Sequence, residues 1–204
     1  MTAPTHQAAP IYCDLMEESK SRIALLQRIT TGSLRHGTEN FEYECAALQL
    51  RKVLESIAFG SLCANKRAYA KVHANFEKHH RAKDLLRALE KVNPHFYPTP
   101  MRFGQSMTPG VKHLDRVDDG YLTPNEFVDL YDTCNKVLHV WNPFSRDARH
   151  INFGRTVAEW AQRIQRLLDM HLMHLAGSDD VWAIQMVSPE DGKVHAFPAS
   201  PGTS

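Results

Sequence analysis

One stretch of the sequence repeats apolar residues over enough turns to require a long helix buried along one side. Its inward positions are Ala47, Leu50, Val53, Leu54, Ile57 and Ser61. Their spacing of three or four residues matches the α-helical period of about 3.6 residues. Thr38 is a residue type that begins helices well, and the helical pattern continues to about Asn65. A stripe of this length predicts the central helix of a bundle.

Further helices are predicted on both sides of this segment, at about 11–31, 67–78, 82–92, 123–139 and 154–175. The start at Thr123 is the most sharply marked, because Pro124 suits the first helical position and Glu126 completes a capping box. Residues 94–120 contain several prolines and glycines, which predict an extended loop.

Two runs near the C-terminus, Val181–Val187 and Val194–Phe197, are rich in β-forming residues and flank a turn, so they predict a β-hairpin. Together the patterns predict a mainly α fold: a single-domain helical bundle of five to six helices with a C-terminal β-hairpin. The predicted parts are a disordered N-terminus at 1–10, the bundle at 11–177, the hairpin appendage at 178–198 and a disordered tail at 199–204.

The composition is that of an ordinary globular protein. The 204 residues are 43% hydrophobic and 23% charged, and the net charge is +1. A chain of this length can fold without a disulfide or a metal, so its four cysteines are expected to be free thiols. No apolar run approaches the roughly 20 residues of a membrane span, and the first ten residues lack a signal-peptide pattern. We therefore predict a cytoplasmic protein with no membrane partner and no cofactor.

The charged residues are unevenly distributed along the chain. Residues 66–91 hold eight Lys or Arg and three acids, a net charge of +5, whereas 115–132 holds six acids and one Arg, a net charge of −5. The two segments could attract each other within the fold or across a dimer, or the basic one could follow a phosphate backbone. The candidate nucleic-acid-binding residues are Lys66, Arg67, Lys71, Lys78, Arg81, Lys83 and Arg87.

An EF-hand-like motif spans residues 115–126, from the end of the predicted loop into the predicted helix at 123–139. Asp115, Asp119, Gly120 and Glu126 match the register of a calcium-binding loop. Val117, however, occupies a ligand position and has no side-chain oxygen. The end of the motif is also fully explained as a helix start. We therefore do not predict a calcium site.

Two arginine–histidine pairs, Arg67 with His73 and Arg166 with His171, have the Arg-x(4–6)-His spacing of some ribonucleases. About two such matches are expected by chance in a chain this rich in both residues. His171 falls on the apolar face of the predicted last helix, which favours a core or interface histidine. His171 and His174 are one helical turn apart, a spacing that could hold zinc, but no third ligand accompanies them, so no metal site is predicted.

Two polar pairs are candidates for a catalytic or partner-orienting site. Arg51 and Glu55 flank the apolar stripe of the central helix and can pair one turn apart. Asn135 and His139 share a polar face near a helix C-terminus, where the helix dipole favours a protonated imidazole. A C-terminal cap followed by a turn also explains the second pair.

The long helix over Glu44–Glu55, followed later by a helix ending at Leu138-His139 and an Asn-Pro-Phe turn, resembles HEPN-like helical bundles over about residues 38–175. The resemblance implies a compact, often dimeric bundle. Many family members are ribonucleases of bacterial defence and toxin systems, and others bind RNA, nucleotides or proteins without catalysis. His139 would take the place of the family's histidine. Asp-Thr-Cys occupies 132–134, where the family's arginine is expected, so the resemblance implies a catalytically degenerate member.

Three hypotheses follow for the function. The first is a degenerate HEPN-like homodimer that binds RNA or a protein partner through the segment 66–91, in a bacterial defence or stress context. The second is a metal-independent ribonuclease in which Arg51 or Arg67 meets His139. The third is a structural interaction module whose C-terminal hairpin pairs edge to edge with another chain.

Overall fold

The protein combines helices with an antiparallel sheet. A computed structural model describes residues 3–35, 37–72, 82–106, 109–140, 144, 151–177 and 179–199, with the backbone alone at 3–7, 67, 71 and 72. In chain order the elements are α1 (Ala3–Thr30), α2 (Glu39–Val72), α3 (Ala82–Val92), β1 (Thr99–Phe103), β2 (Leu114–Arg116), α4 (Pro124–Leu138), α5 (Val157–Leu168), β3 (Met170–His174), β4 (Val181–Gln185) and β5 (His195–Ala199). Within these ranges, no helix has both the length and the apolar character needed to cross a bilayer.

The helices α1 and α2 pack against each other in opposite directions. Gly60 of α2 lets the ring of Tyr12 approach closely, because a Cβ atom at position 60 would lie 2.9 Å from that ring. Further along the interface, Nη1 of Arg22 donates a hydrogen bond to Oε1 of Gln49 at 2.7 Å. The turn between the helices uses Gly32 at φ 72°, a backbone conformation that suits glycine. These contacts fix the antiparallel arrangement.

The predicted central helix is confirmed as α2. Each of the six predicted stripe residues is at most 1% exposed. The hydroxyl of Thr38 accepts a hydrogen bond from the backbone N–H of Phe41 at 3.4 Å, as expected of an N-cap. The helix continues to Val72, so the first part of the separate helix predicted at 67–78 belongs to α2. Residues 73–78 lie outside the described part of the chain.

The predicted helices at 82–92 and 123–139 are also confirmed, as α3 and α4. The capping box of α4 forms as expected. The hydroxyl of Thr123 accepts from the backbone N–H of Glu126 at 3.3 Å, and Oε2 of Glu126 accepts from the backbone N–H of Thr123 at 3.0 Å. Both helices pack against α2, which places α2 at the centre of the helical layer.

The predicted mainly α fold is wrong, because the chain is mixed α/β. The described strands form one five-stranded antiparallel sheet in the order β2-β1-β3-β4-β5. The predicted loop at 94–120 contains β1 and β2. The helix predicted to run from 154 to 175 is shorter, because α5 ends at Leu168 and β3 follows. The predicted hairpin exists as β4 and β5, but β4 also pairs with β3, so the hairpin is part of the sheet and not an appendage.

Tertiary pairing explains why residues 170–174 form a strand. All five residues of β3 pair with β4, from Met170 opposite Gln185 to His174 opposite Val181. On its other side, β3 pairs with β1. The apolar residues here continue a helical stripe equally well, so their spacing does not separate the two structures. Pairing on both edges satisfies the backbone N–H and C=O groups and decides for the strand.

The strand register assigns the sheet residues to two faces. His171 and Trp182 lie on the face covered by α1, where the Tyr12 ring contacts both of their rings. We call the opposite side the outer sheet face, and it carries Phe103, Arg116, His174, Gln185 and Phe197. Among the described elements, α1, α2 and α5 contact the sheet.

The chain ends differ from the prediction where they are described. α1 begins at Ala3 and not near Ile11, so it includes most of the segment expected to be disordered. At the other end, Ala199 belongs to β5. Residues 200–204 are outside the described part of the chain.

Candidate functional site

A buried asparagine joins the ends of two helices to the sheet. Nδ2 of Asn93 donates to Oδ1 of Asn65 at 2.8 Å and to the backbone carbonyl of His174 at 3.2 Å. Asn65 and Asn93 are both buried, and Nδ2 of Asn65 donates to the carbonyl of Ser61 at 2.7 Å. Pro94 follows Asn93 and stops α3 at this point. The C-terminal parts of α2 and α3 therefore meet the end of β3.

The elements that meet at or adjoin this junction carry six basic residues, which we call the junction cluster: Lys66, Arg87, Lys91, His95, His174 and Arg116. Lys66, Arg87 and Lys91 are exposed on α2 and α3. The rings of His95 and His174 lie 5.3 Å apart. Burial, and then the positive fields of His95 and Arg116, lower the pKa of His174. The hydrogen bonds of Asn93 thus join two helix ends that carry exposed cations to the strand of His174.

The remaining predicted nucleic-acid-binding residues lie in different situations. Nζ of Lys83 forms an ion pair with Asp132 of α4 at 2.7 Å, so the basic and acidic segments attract each other within the fold. Arg67 and Lys71 lie on α2, where only their backbone is described. Lys78 and Arg81 fall outside the described residues. Of the seven predicted residues, Lys66 directly follows Asn65 of the junction, and Arg87 lies on α3, six residues before Asn93.

The catalytic candidates form two separate pairs. Arg51 and Glu55 lie on α2 beside the middle of α4, and Asn135 and His139 lie at the C-terminal end of α4. Nε of Arg51 donates to Oε1 of Glu55 at 3.0 Å, and its guanidinium lies 5.7 Å from the centre of the Tyr131 ring. Burial lowers the pKa of Arg51, but the contacts with Glu55 and Tyr131 outweigh it and raise that pKa overall. His139 is exposed at the C-cap of α4, and its backbone N–H donates to the carbonyl of Asn135 at 3.1 Å. At about 1.5 Å per helical residue, His139 lies roughly 12 Å beyond Tyr131 along α4.

Cys134 and His171 are buried groups that lack the properties of a nucleophile or a base. Burial raises the pKa of the Cys134 thiol to about 12. His171 is a core residue, as predicted, although it lies on a strand and not on a helix. Its Nδ1 lies 2.7 Å from the carbonyl of Leu168, which can only accept, so Nδ1 carries the proton. The Tyr12 hydroxyl therefore donates to Nε2 at 2.7 Å.

The two metal-like patterns have structural explanations. His171 and His174 are three residues apart on a strand, so their side chains point to opposite faces of the sheet. Oε2 of Glu126 accepts a hydrogen bond from Arg163 at 2.7 Å, and its Oε1 lies 3.3 Å from Arg155. Asp115 lies in β2 and contacts His113. In the described ranges, no three His, Cys, Asp or Glu residues are grouped to hold a metal ion.

Sequence reasoning missed a large polar groove between the α1–α2 turn and the N-terminus of α5. The groove encloses about 1610 Å³. Arg35 and Arg155 line it, and Arg35 forms an ion pair with Glu42 at 3.1 Å. Its described lining also includes Glu39, Glu44 and Glu159. The described lining holds more acidic than basic residues, so the groove does not suit a polyanion. In this respect it differs from the basic junction cluster.

Sequence reasoning also missed the outer sheet face, because β1, β2 and β3 were not predicted. Phe103 and Phe197 are 48% and 43% exposed on this face. Nζ of Lys112 lies 5.4 Å from the centre of the Phe103 ring. An open hollow of about 330 Å³ lies beside Phe103 and is also lined by Lys112, His113 and Gln185. The face therefore combines exposed rings with basic side chains.

Comparison of the chain with family models, curated proteins and solved structures finds no significant match. The resemblance to HEPN-like bundles accordingly stays a prediction that depends on the sequence pattern.

Proposed function

We propose that this protein binds RNA without cleaving it, as a catalytically degenerate HEPN-like protein of bacterial defence or stress. The observation that carries the proposal is the junction formed by Asn93. Its hydrogen bonds to Asn65 and His174 join two helices that carry exposed cations to the strand that carries one of two neighbouring histidines. Clustered cations bind the phosphate backbone independently of sequence and release its counterions.

Binding is favoured over cleavage by the placement of the catalytic candidates. Arg51 contacts Glu55 and Tyr131, whereas His139 lies at the far end of α4. A ribonuclease that works through a 2′-hydroxyl needs a base and a cation at the same phosphate. The arrangement of Arg51 and His139 does not provide both groups at one point.

We expect the affinity for a labelled RNA strand to fall steeply with salt. Three phosphate contacts, from Lys66, Arg87 and Lys91, give a slope of about −2 in log affinity against log salt concentration. The affinity should thus fall roughly 20-fold between about 50 and 200 mM NaCl. Each of the substitutions Lys66→Gln, Arg87→Gln and Lys91→Gln should reduce the magnitude of the slope by about 0.7. Fluorescence anisotropy of the full chain measures both quantities.

The matched control is Lys52→Gln, because Lys52 is also an exposed lysine of α2 and lies about 20 Å from Lys66 along the helix. An unchanged slope in all three junction variants, or no RNA binding by the wild type, contradicts the proposal. Gel analysis of the same RNA tests the ribonuclease hypothesis. Cleavage that His139→Ala abolishes would establish that hypothesis instead.

Self-association and location belong to the same proposal. We propose that the protein is a cytoplasmic homodimer, in keeping with the family that it resembles. Light scattering measures the oligomeric state directly. The hypothesis that the hairpin pairs edge to edge is less favoured, since Pro198 in the edge strand β5 has no backbone N–H to donate.

A further inference from the structure

The outer sheet face adjoins the junction cluster and adds exposed phenylalanine rings that can contact bases. His174 and Arg116 belong to both surfaces, because they lie on β3 and β2 with their side chains on the outer face. Phe103 and Phe197 are nearly half exposed on the same face. An RNA strand whose phosphates contact the junction cluster can therefore continue over the outer sheet face.

We propose that the outer sheet face binds unpaired bases, so that the RNA bound by this protein is single-stranded. This inference rests on the proposed function and adds the site for the bases and the strand form that is selected. Single-stranded RNA is recognised in many proteins by bases that stack on aromatic side chains of an antiparallel sheet. Duplex RNA keeps its bases stacked inside and offers no ring to such a face.

The charges of the face match a polyanion. Asp115 is the one acidic residue in the five described strands, and it already contacts His113 at 3.3 Å and Arg102 at 3.9 Å. Asp191, beside β5, contacts His195 at 3.1 Å. The acids at 179, 180 and 190 lie in the turns at either end of β4, outside the strands. The β-strands themselves thus present aromatic rings and basic side chains, and their one carboxylate, on Asp115, is already paired.

The two phenylalanines are separated by a distance that suits a short stretch of RNA. Phe197 lies level with Thr99, three strand spacings or about 14 Å away, and Phe103 lies about 13 Å further along β1. The diagonal of roughly 20 Å fits the site sizes of about 4 to 16 nucleotides known for sheet-based binders.

The hollow beside Phe103 has the size and polarity for one base. Its volume is about 330 Å³. The amide of Gln185 can donate to and accept from the edge of a base. Nζ of Lys112 lies 5.4 Å from the centre of the Phe103 ring, so a base that stacks on that ring face displaces the lysine, whose long side chain can turn to an adjacent phosphate. The His195 ring is stacked on Phe197 at an interplanar angle of 12°, which holds the Phe197 ring in place.

The test compares a labelled strand of roughly 12 nucleotides with the blunt duplex of the same sequence, using the full chain and fluorescence anisotropy. We expect the single strand to bind at least tenfold more tightly. Phe103→Ala and Phe197→Ala should each weaken single-strand binding at least fivefold, as loss of base stacking does. Their salt slope should stay unchanged because the phosphate contacts remain. Phe103→Trp should retain the affinity.

The control is Phe41→Ala, which removes a 58%-exposed phenylalanine at the start of α2, away from the sheet. Circular dichroism confirms that each variant is folded. If single-stranded and duplex RNA bind equally tightly, and the two alanine variants bind RNA as tightly as the wild type, this inference is overturned. The proposed function then still stands. Absence of all RNA binding overturns both. Alanine variants that change self-association but not RNA affinity assign the face to a protein partner and overturn this inference.

Discussion

Acidification from pH 7.5 to pH 4 is expected to lower the free energy of unfolding by about 3 kcal/mol through His171 alone, and by about 2 kcal/mol already at pH 5. Complete burial lowers the pKa of His171 to about 4, whereas an unfolded histidine titrates near its model value of 6.5. Between pH 6.5 and pH 4, His171 is therefore protonated in the unfolded chain but stays neutral in the folded protein. The stability from the neutral imidazole is present above pH 6.5 and is lost as the pH falls towards 4.

Urea unfolding at several pH values measures this loss. His171→Gln keeps an acceptor for the Tyr12 hydroxyl but does not titrate, so its stability should fall much less between pH 7.5 and pH 5. A smaller loss should remain in the variant, because the pKa of His174 is also lowered. Glu126 and Glu17 have pKa values lowered from 4.5, so their losses begin only at the acid end of the range over which His171 acts. Parallel curves for wild type and variant would contradict the role of His171.

Glu126→Gln is expected to lower the free energy of unfolding by about 2 to 3 kcal/mol. The carboxylate caps α4 through Thr123 and pairs with Arg163 and Arg155. The side chains of Glu126 and Arg163 are only 22% and 19% exposed, so the guanidinium of Arg163 would lose its carboxylate partner in a largely buried place. This loss in the free energy of unfolding is smaller than that expected for a fully buried ion pair, because water still reaches both side chains.

The chain provides a matched control in its second capping box. Glu159 caps α5 through Thr156 with the same hydrogen bonds as Glu126, but it lies at an exposed position. Glu159→Gln should therefore cost less than Glu126→Gln, and the difference measures chiefly the contribution of Arg163, because Arg155 also attracts Glu159. Chemical denaturation of both variants gives this difference. Equal losses would mean that the ion pairs add nothing to the cap.

Calcium offers an independent check on Glu126. A ligand that binds only the folded state raises the melting temperature. Since the carboxylate of Glu126 is engaged by Arg163 and Thr123, we expect no change in the melting temperature when calcium chloride is added. A rise that Glu126→Gln abolishes would restore the EF-hand hypothesis.

The sequence by itself determined those elements whose signals are local. The stripe on α2 repeats over many turns, so its period identified both the helix and its buried side. The start of α4 was set by Thr123, Pro124 and Glu126, because a capping box uses residues within one turn. The positive charge of residues 66–91 was equally visible, since composition does not depend on folding.

Only the tertiary structure decided the sheet and the candidate site. Strand β3 became a strand because it pairs with β1 and β4, whose residues are distant in sequence and leave no periodic mark on Met170–His174 itself. Asn93 contacts residues 28 and 81 positions away. Local patterns report which face of an element is apolar, but hydrogen bonds between distant segments decide which elements meet. The position of the helix ends beside the outer sheet face therefore emerged only from the folded chain.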